Sequence, residues 1–203
     1  MSTSPQTAPE RGSTLRHLVT SVLYTIVTVI ALGVIYPVVI WGLGTLLFAH
    51  QAGGSLIAGP NGSIIGSELV GQNFTKPQYF HSRPSAAGKG YDPTSTGGTN
   101  LGPTSKKLID ATKNAIAALQ KANPDATGPI PMDLITSSAS GIDPDISPAG
   151  AYYQAPRVAK ARGVSLDTVR ASIAAQVTPR QFGLLGEPRV NVVNLNRALD
   201  LHR

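Results

Sequence analysis

Four kinds of side chain in this 203-residue chain could do chemistry. His81, with Ser85 close by and Asp92 or Asp143 further on, offers the base, nucleophile and orienting carboxylate of a hydrolase. Asn100 and Gln154 carry amide oxygens that could meet a cation or a nucleotide, although buried amides more often satisfy backbone groups. Arg157 and Arg162 could bind helix-end carbonyls or acidic neighbours, and Arg83 and Arg189, in rigid turns beside prolines, could tie loops together. Gly88-Lys89-Gly90 looks like the start of a phosphate loop. It fails as one, because Gly90 follows the lysine where Ser or Thr is needed and Arg83 stands where the first glycine belongs. There is no cysteine and there are four histidines, so thiolate metal sites and disulfides are excluded. The residues argue against an enzyme and for an anchored accessory or binding protein.

The element that must position everything else is a greasy run. From Leu18 to Ala49 there is no Asp, Glu, Lys or Arg, and the next such residue is Glu68. About 20 apolar residues in a helix cross a bilayer core. A cleavable signal has a shorter apolar region and a small-residue cleavage site, whereas Ala49 is followed by His50 and Gln51. Residues 18–48 are therefore expected to be a transmembrane anchor, kinked at Pro37. Gly33, Gly42 and Gly44 would supply flat faces for a partner helix. Trp41 and Tyr24 would sit at the interfaces.

Arg11, Arg16 and His17 precede the run, and no Lys or Arg follows it until Lys76. Positive charge stays on the cytoplasmic side. Residues 1–17, rich in Ser, Thr and Pro, thus read as a disordered cytoplasmic tail. Residues 49–203 read as a soluble, mixed α/β domain in the periplasm or its equivalent. The formal charge is +6, but the basic residues are scattered with few aromatics between them. That argues against nucleic acid and for solubility or attraction to anionic lipid.

Within the domain, Ser55–Ile57 and Ser63–Val70 read as short strands around a turn at Gly59-Pro60-Asn61-Gly62. Tyr79–Arg83 is an extended run stopped by Pro84. A long loop spans 86–103. A helix capped by Thr104 or Ser105 is expected to reach Ala122, with Leu108, Ile109, Thr112, Ala115, Ile116 and Leu119 as its apolar stripe. Ile130–Thr136 is predicted to be a buried strand. Ser147-Pro148 starts a helix that Gly163 stops, and Ser165 caps the next, closed by Pro179. Phe182–Leu185 and Val190–Leu195 are the last strand candidates.

Five blocks now add a resemblance. Gly71-Gln72-Asn73-Phe74-Thr75-Lys76-Pro77-Gln78-Tyr79-Phe80-His81-Ser82-Arg83-Pro84-Ser85-Ala86 resembles the G-Q-x-F-x-x-P-x-Y-F-x-x-R-P-S-A block of the C subunit of the Kdp potassium-transporting ATPase. Gly98-Thr99-Asn100-Leu101-Gly102-Pro103 is similar to G-S-N-L-G-P. Pro131 to Thr136 with Ser140 to Pro148 resembles P-x-D-L-V-T and S-G-x-D-P-x-I-S-P. Gln154 to Gly163 is similar to Q-x-x-R-V-A-x-A-R-G, and Leu185 to Val192 to L-G-E-P-R-V-N-V. One departure is Val177-Thr178 where the family usually has His-Thr.

The resemblance implies a non-catalytic accessory subunit of an ATP-driven potassium importer in the bacterial plasma membrane. It has no cofactor of its own, since ATP and K+ are handled by the complex. Its partners would be a potassium-selective pore subunit, an ATP-hydrolysing P-type subunit and a small one-helix subunit. It would stabilise their assembly and act as a catalytic chaperone that raises the pump subunit's ATP affinity. Gln154 matches the residue proposed to meet ATP, and Gly33, Gly42, Gly44, Arg83, Asn100, Arg157 and Arg162 are the candidate partner contacts. A physical objection stands against the nucleotide role: with the N-terminus inside, Gln154 lies outside, where there is no ATP. The alternatives are an anchored periplasmic hydrolase using His81 and Ser85, or a freestanding binding module.

Overall fold

The computed structural model describes residues 13–59 and 61–201. Arg11, most of the expected tail, Pro60 and His202 lie outside the described residues. The chain divides into two compact units, Met1–Gly53 and Gly54–Arg203.

The first unit is a long helix, α1 (Thr14–Leu47), with no buried residue in its most apolar window, followed by a single helical turn at Ala49–Ala52. It begins ahead of Leu18, taking in Arg16 and His17. At 1.5 Å per residue it is roughly 50 Å long, ample for a bilayer core of about 30 Å. Four of its threonine hydroxyls are satisfied internally. Thr20, Thr25 and Thr28 each donate to the carbonyl four residues back at 2.8 Å, and Thr45 does so at 2.9 Å. Such pairing is what a polar group in hydrocarbon requires.

The expected disturbance at Pro37 takes a specific form. Val29–Ile35 is wound as a π-helix, and Tyr36 N–H donates five residues back, to Ala31 O. A proline ring collides with the carbonyl four residues before it and cannot donate to it. The wider turn just upstream absorbs that mismatch within one continuous helix.

The second unit is the mixed α/β domain. β1 (Leu56–Ala58) and β2 (Ile64–Ser67) form an antiparallel hairpin. A three-stranded antiparallel sheet has β5 (Arg189–Asn191) between β3 (Asp145–Ile146) and β4 (Val177–Thr178). Four helices accompany them: α2 (Lys106–Ala122), α3 (Pro148–Arg162), α4 (Leu166–Gln176) and α5 (Val192–Leu201). Phe80, Ile146, Val158, Val169, Ile173, Val190, Val192 and Leu195 share one core, each at most 2% exposed.

Local chemistry sets the helix ends. Ser147 Oγ accepts from Gly150 N–H at 2.9 Å, and Pro148 occupies the first turn of α3. The Asp133 carboxylate accepts from Ser147 N–H at 2.7 Å and from its hydroxyl at 3.0 Å, placing negative charge at the helix's positive end. Gly163 closes α3 at φ 68°. Ser165 caps α4 through Thr168 N–H at 3.1 Å.

Three expectations are corrected. Phe182–Leu185 is not a strand but a turn, closed by a bridge between Gln181 and Leu185. Ile130–Thr136 is not a strand but a 3-10 turn, Met132–Leu134, because Pro129 and Pro131 withhold ladder donors on either side of Ile130. Val190–Leu195 is strand only through Asn191 and then turns into α5, with Val192, Leu195, Asn196 and Leu199 buried at helical spacing. Asn191 makes that switch, since its Oδ1 accepts from Asn194 N–H at 3.0 Å in the manner of a helix cap.

Candidate functional site: a buried amide and guanidinium cluster

Gln154, in the middle of α3, is fully buried. Its Oε1 accepts from His81 N–H at 2.8 Å and from Arg157 Nη2 at 2.7 Å. Its Nε2 donates to His81 O at 3.0 Å and to Gly150 O at 3.3 Å. An amide side chain has two donor protons and two acceptor positions, and all four are engaged. Asn196 on α5 repeats the arrangement one residue earlier. It accepts from Phe80 N–H at 2.8 Å and donates to Phe80 O at 3.0 Å.

The segment before them is held by arginines. Arg157 Nη1 donates to Pro77 O at 2.5 Å and Tyr79 O at 2.9 Å, and its Nε donates to Asn123 Oδ1 at 2.9 Å. Arg162 Nε donates to Gln78 O at 2.8 Å. It also reaches Leu199 O in the last turn of α5 and Asp200, each at 2.9 Å, with its guanidinium 5.3 Å from the Tyr79 ring centre. Arg157 and Arg162, five apart on α3, thus converge on three consecutive carbonyls. Residues 77–81 form no strand, yet their five carbonyls and the N–H groups of Phe80 and His81 are paired by side chains from two helices.

The electrostatics follow from burial. The oxygens bonded to Arg157 are all neutral, and desolvation lowers its pKa to about 10. His81 is pushed below its ordinary value of 6.5, first by burial and then by the Arg157 charge, against a bond to Lys76 O at 3.1 Å. Since a carbonyl can only accept, the proton of this imidazole sits on Nε2.

The other candidates lie apart from this cluster. Arg83 pairs with Asp143 at 3.0 Å, and Tyr91 OH bonds its carbonyl. Asn100 is exposed at φ 50°. Gly42 and Gly44 stand about 200° apart on an α-helix and cannot share one packing face; nothing lies within 4 Å of a Cβ at either. Gly33 lies within the π-helical stretch.

Hydrolase geometry is not assembled. Ser85 Oγ donates to Gly141 O at 2.6 Å and accepts from Ala87 and Tyr91 N–H, making it a loop staple. Asp92 accepts from Thr94, and Asp143 is committed to Arg83 and to Asp145 N–H. Among the described residues no group of three His, Asp or Glu could hold a metal. Sequence reasoning missed Asn123 and Asn196. Both are buried polar residues beside apolar ones, and that oddity in an amphipathic pattern was the available signal.

Residues 18–201 match the family model described as the c chain of the K+-transporting ATPase, KdpC. The chain belongs to the KdpC family. A protein of Acidobacterium capsulatum named as a potassium-transporting ATPase KdpC subunit is 56% identical over 92% of this chain and 98% of its own length. One of Koribacter versatilis with the same name is 53% identical, covering 91% and 94%. A third, from Myxococcus xanthus, is 51% identical over 86% and 83%. In this KdpC chain Val177, where the resemblance led to an expectation of histidine, is partly buried, pairs with Val190 and packs on the core, a packing role that makes no use of an imidazole.

Proposed function

We propose that this chain is a non-catalytic accessory subunit of an ATP-driven potassium importer. It works by contact with a potassium-selective pore subunit, an ATP-hydrolysing P-type subunit and a small one-helix subunit. The supporting observation is the 56% identity to a named KdpC subunit along nearly the whole of both chains. α1 holds it in the plasma membrane, and the charge ahead of Leu18 argues for a cytoplasmic N-terminus and an outer domain in the periplasm.

Gln154 then acts as a positioning residue, not a nucleotide ligand. It has no exposed surface, and its four hydrogen-bonding positions are filled from within the domain. Any effect on ATP affinity is transmitted by favouring one conformation of the pump subunit, which requires only differential contact with its states.

The test is reconstitution. Complexes assembled with this chain should show K+-stimulated ATP hydrolysis, whereas this chain alone should show none. His81→Ala and Ser85→Ala should not act as catalytic knockouts. Protease cleavage in the outer domain from outside intact spheroplasts would support the orientation; cleavage only after lysis would reverse it. Hydrolysis by the chain alone, lost in Ser85→Ala, would overturn the accessory reading.

A further inference from the structure

The connection between β4 and β5 ends in an apolar tip. Phe182 is 93% exposed, the highest value for a large apolar side chain among the described residues, with Leu184 at 79% and Leu185 at 60%. The tip is not slack. Gln181 and Leu185 exchange both backbone hydrogen bonds at 2.9 Å, and Arg180 and Glu187 close the neck with an ion pair at 2.5 Å. Three residues hold left-handed backbone: Phe182 at φ 53°, Gly183 at 72° and Gly186 at 74°. For phenylalanine that conformation is strained. The neck continues into β5, whose Val190 is fully buried, so the tip stands on the core.

An exposed apolar feature of fixed shape needs an occupant. A bilayer would ask for no fixed shape and would favour free cations at the neck. Here Arg180 is paired with Glu187 and Arg189 with Asp145 at 3.0 Å, and residues 181–186 carry no charge. An uncharged, preorganised tip matches an apolar, uncharged recess in a folded protein.

We propose that Phe182, Leu184 and Leu185 form a plug that docks into an apolar recess of another subunit of the potassium ATPase. This rests on the accessory-subunit reading.

Two measurements on the full chain test it. Leu184→Asp should keep its unfolding midpoint, because the side chain is exposed, yet recover at least about tenfold less of the co-expressed pore and pump subunits in mild detergent. Phe182→Cys gives this cysteine-free chain a single thiol at the tip, to be labelled with a polarity-sensitive fluorophore before assembly. Its emission should shift to the blue and resist acrylamide on assembly with those subunits. It should stay water-like in the chain alone, in nanodiscs of neutral or anionic lipid. A blue shift in nanodiscs without the other subunits would assign the tip to the bilayer, and one that grows with the concentration of the chain alone would assign it to a second copy; either overturns the proposal. Full recovery with Leu184→Asp and a water-like tip in the complex would overturn the plug alone. If the unsubstituted chain recovers no ATPase subunit, the accessory reading falls with it.

Discussion

Gln154 is paired to both backbone polar groups of His81, as a neighbouring strand would be, with its Oε1 at 2.8 Å from the nitrogen and its Nε2 at 3.0 Å from the oxygen. With Asn196 doing the same for Phe80, two side-chain amides stand in for a missing strand.

Replacing Gln154 by Leu keeps the volume and removes the pairing. It leaves His81 N–H and a donor of Arg157 buried and unmatched. Such losses cost about 1–3 kcal/mol each when the group stays dry. A domain of this size loses roughly 2–4 °C of melting temperature per kcal/mol. Thermal unfolding of the full chain in detergent should show a fall on the order of 5–10 °C. Complexes carrying the folded variant should keep their KM for ATP. A raised KM with an unchanged melting temperature would instead mean that Gln154 touches nucleotide.

Asn196→Ala should destabilise as well, and the two substitutions should not add. Once one clamp is gone the 77–83 segment loosens, so the second clamp holds less. A double-mutant cycle by chemical denaturation should give a coupling of about 0.5–2 kcal/mol, with the double variant less damaged than the sum. Strict additivity would mean that the clamps act independently.

His81 gives the domain an acid sensitivity. Its folded pKa lies below 6.5, so between those values the unfolded chain binds more protons than the folded one. Stability therefore falls as pH drops below about 6.5, and levels off once the pH is under the folded pKa. His81→Gln should flatten that part of the stability curve. A curve already flat from pH 7 to 5 in the unsubstituted chain would refute the assignment.

Gly163→Ala should cost about 1 kcal/mol through its left-handed backbone alone, because nothing lies within 4 Å of an added Cβ. Gly163→Asn should recover part of that, since asparagine tolerates this conformation better. Equal melting temperatures for all three would show that the helix end relaxes freely.

The anchor and α2, α3 and α4 were readable because their signals are local. An unbroken apolar run, Ser147-Pro148, Gly163 and Ser165 each act within a few residues. Three apolar runs misled because composition does not separate a short strand from a turn or a buried helix. Pro129 and Pro131 bracket Ile130 at the start of the first run, Phe182–Leu185 closes into a turn, and Val190–Leu195 changes from strand to helix midway. The buried cluster was legible only as residue types. Gln154 and His81 are 73 positions apart and Asn196 and Phe80 116 apart, and no periodicity links such pairs. The arginine spacing on α3 suggested no common target, yet a bent segment brings three carbonyls to both.

A ladder between two strands can slide by two residues and restore its hydrogen bonds. Amide side chains cannot, because each addresses a single residue from a fixed place on its helix. The stretch from Pro77 to Arg83 is consequently intolerant of insertion or deletion. One added residue would misalign Phe80, His81 and the arginine-bound carbonyls together, whereas many substitutions of outward-facing side chains would pass unnoticed.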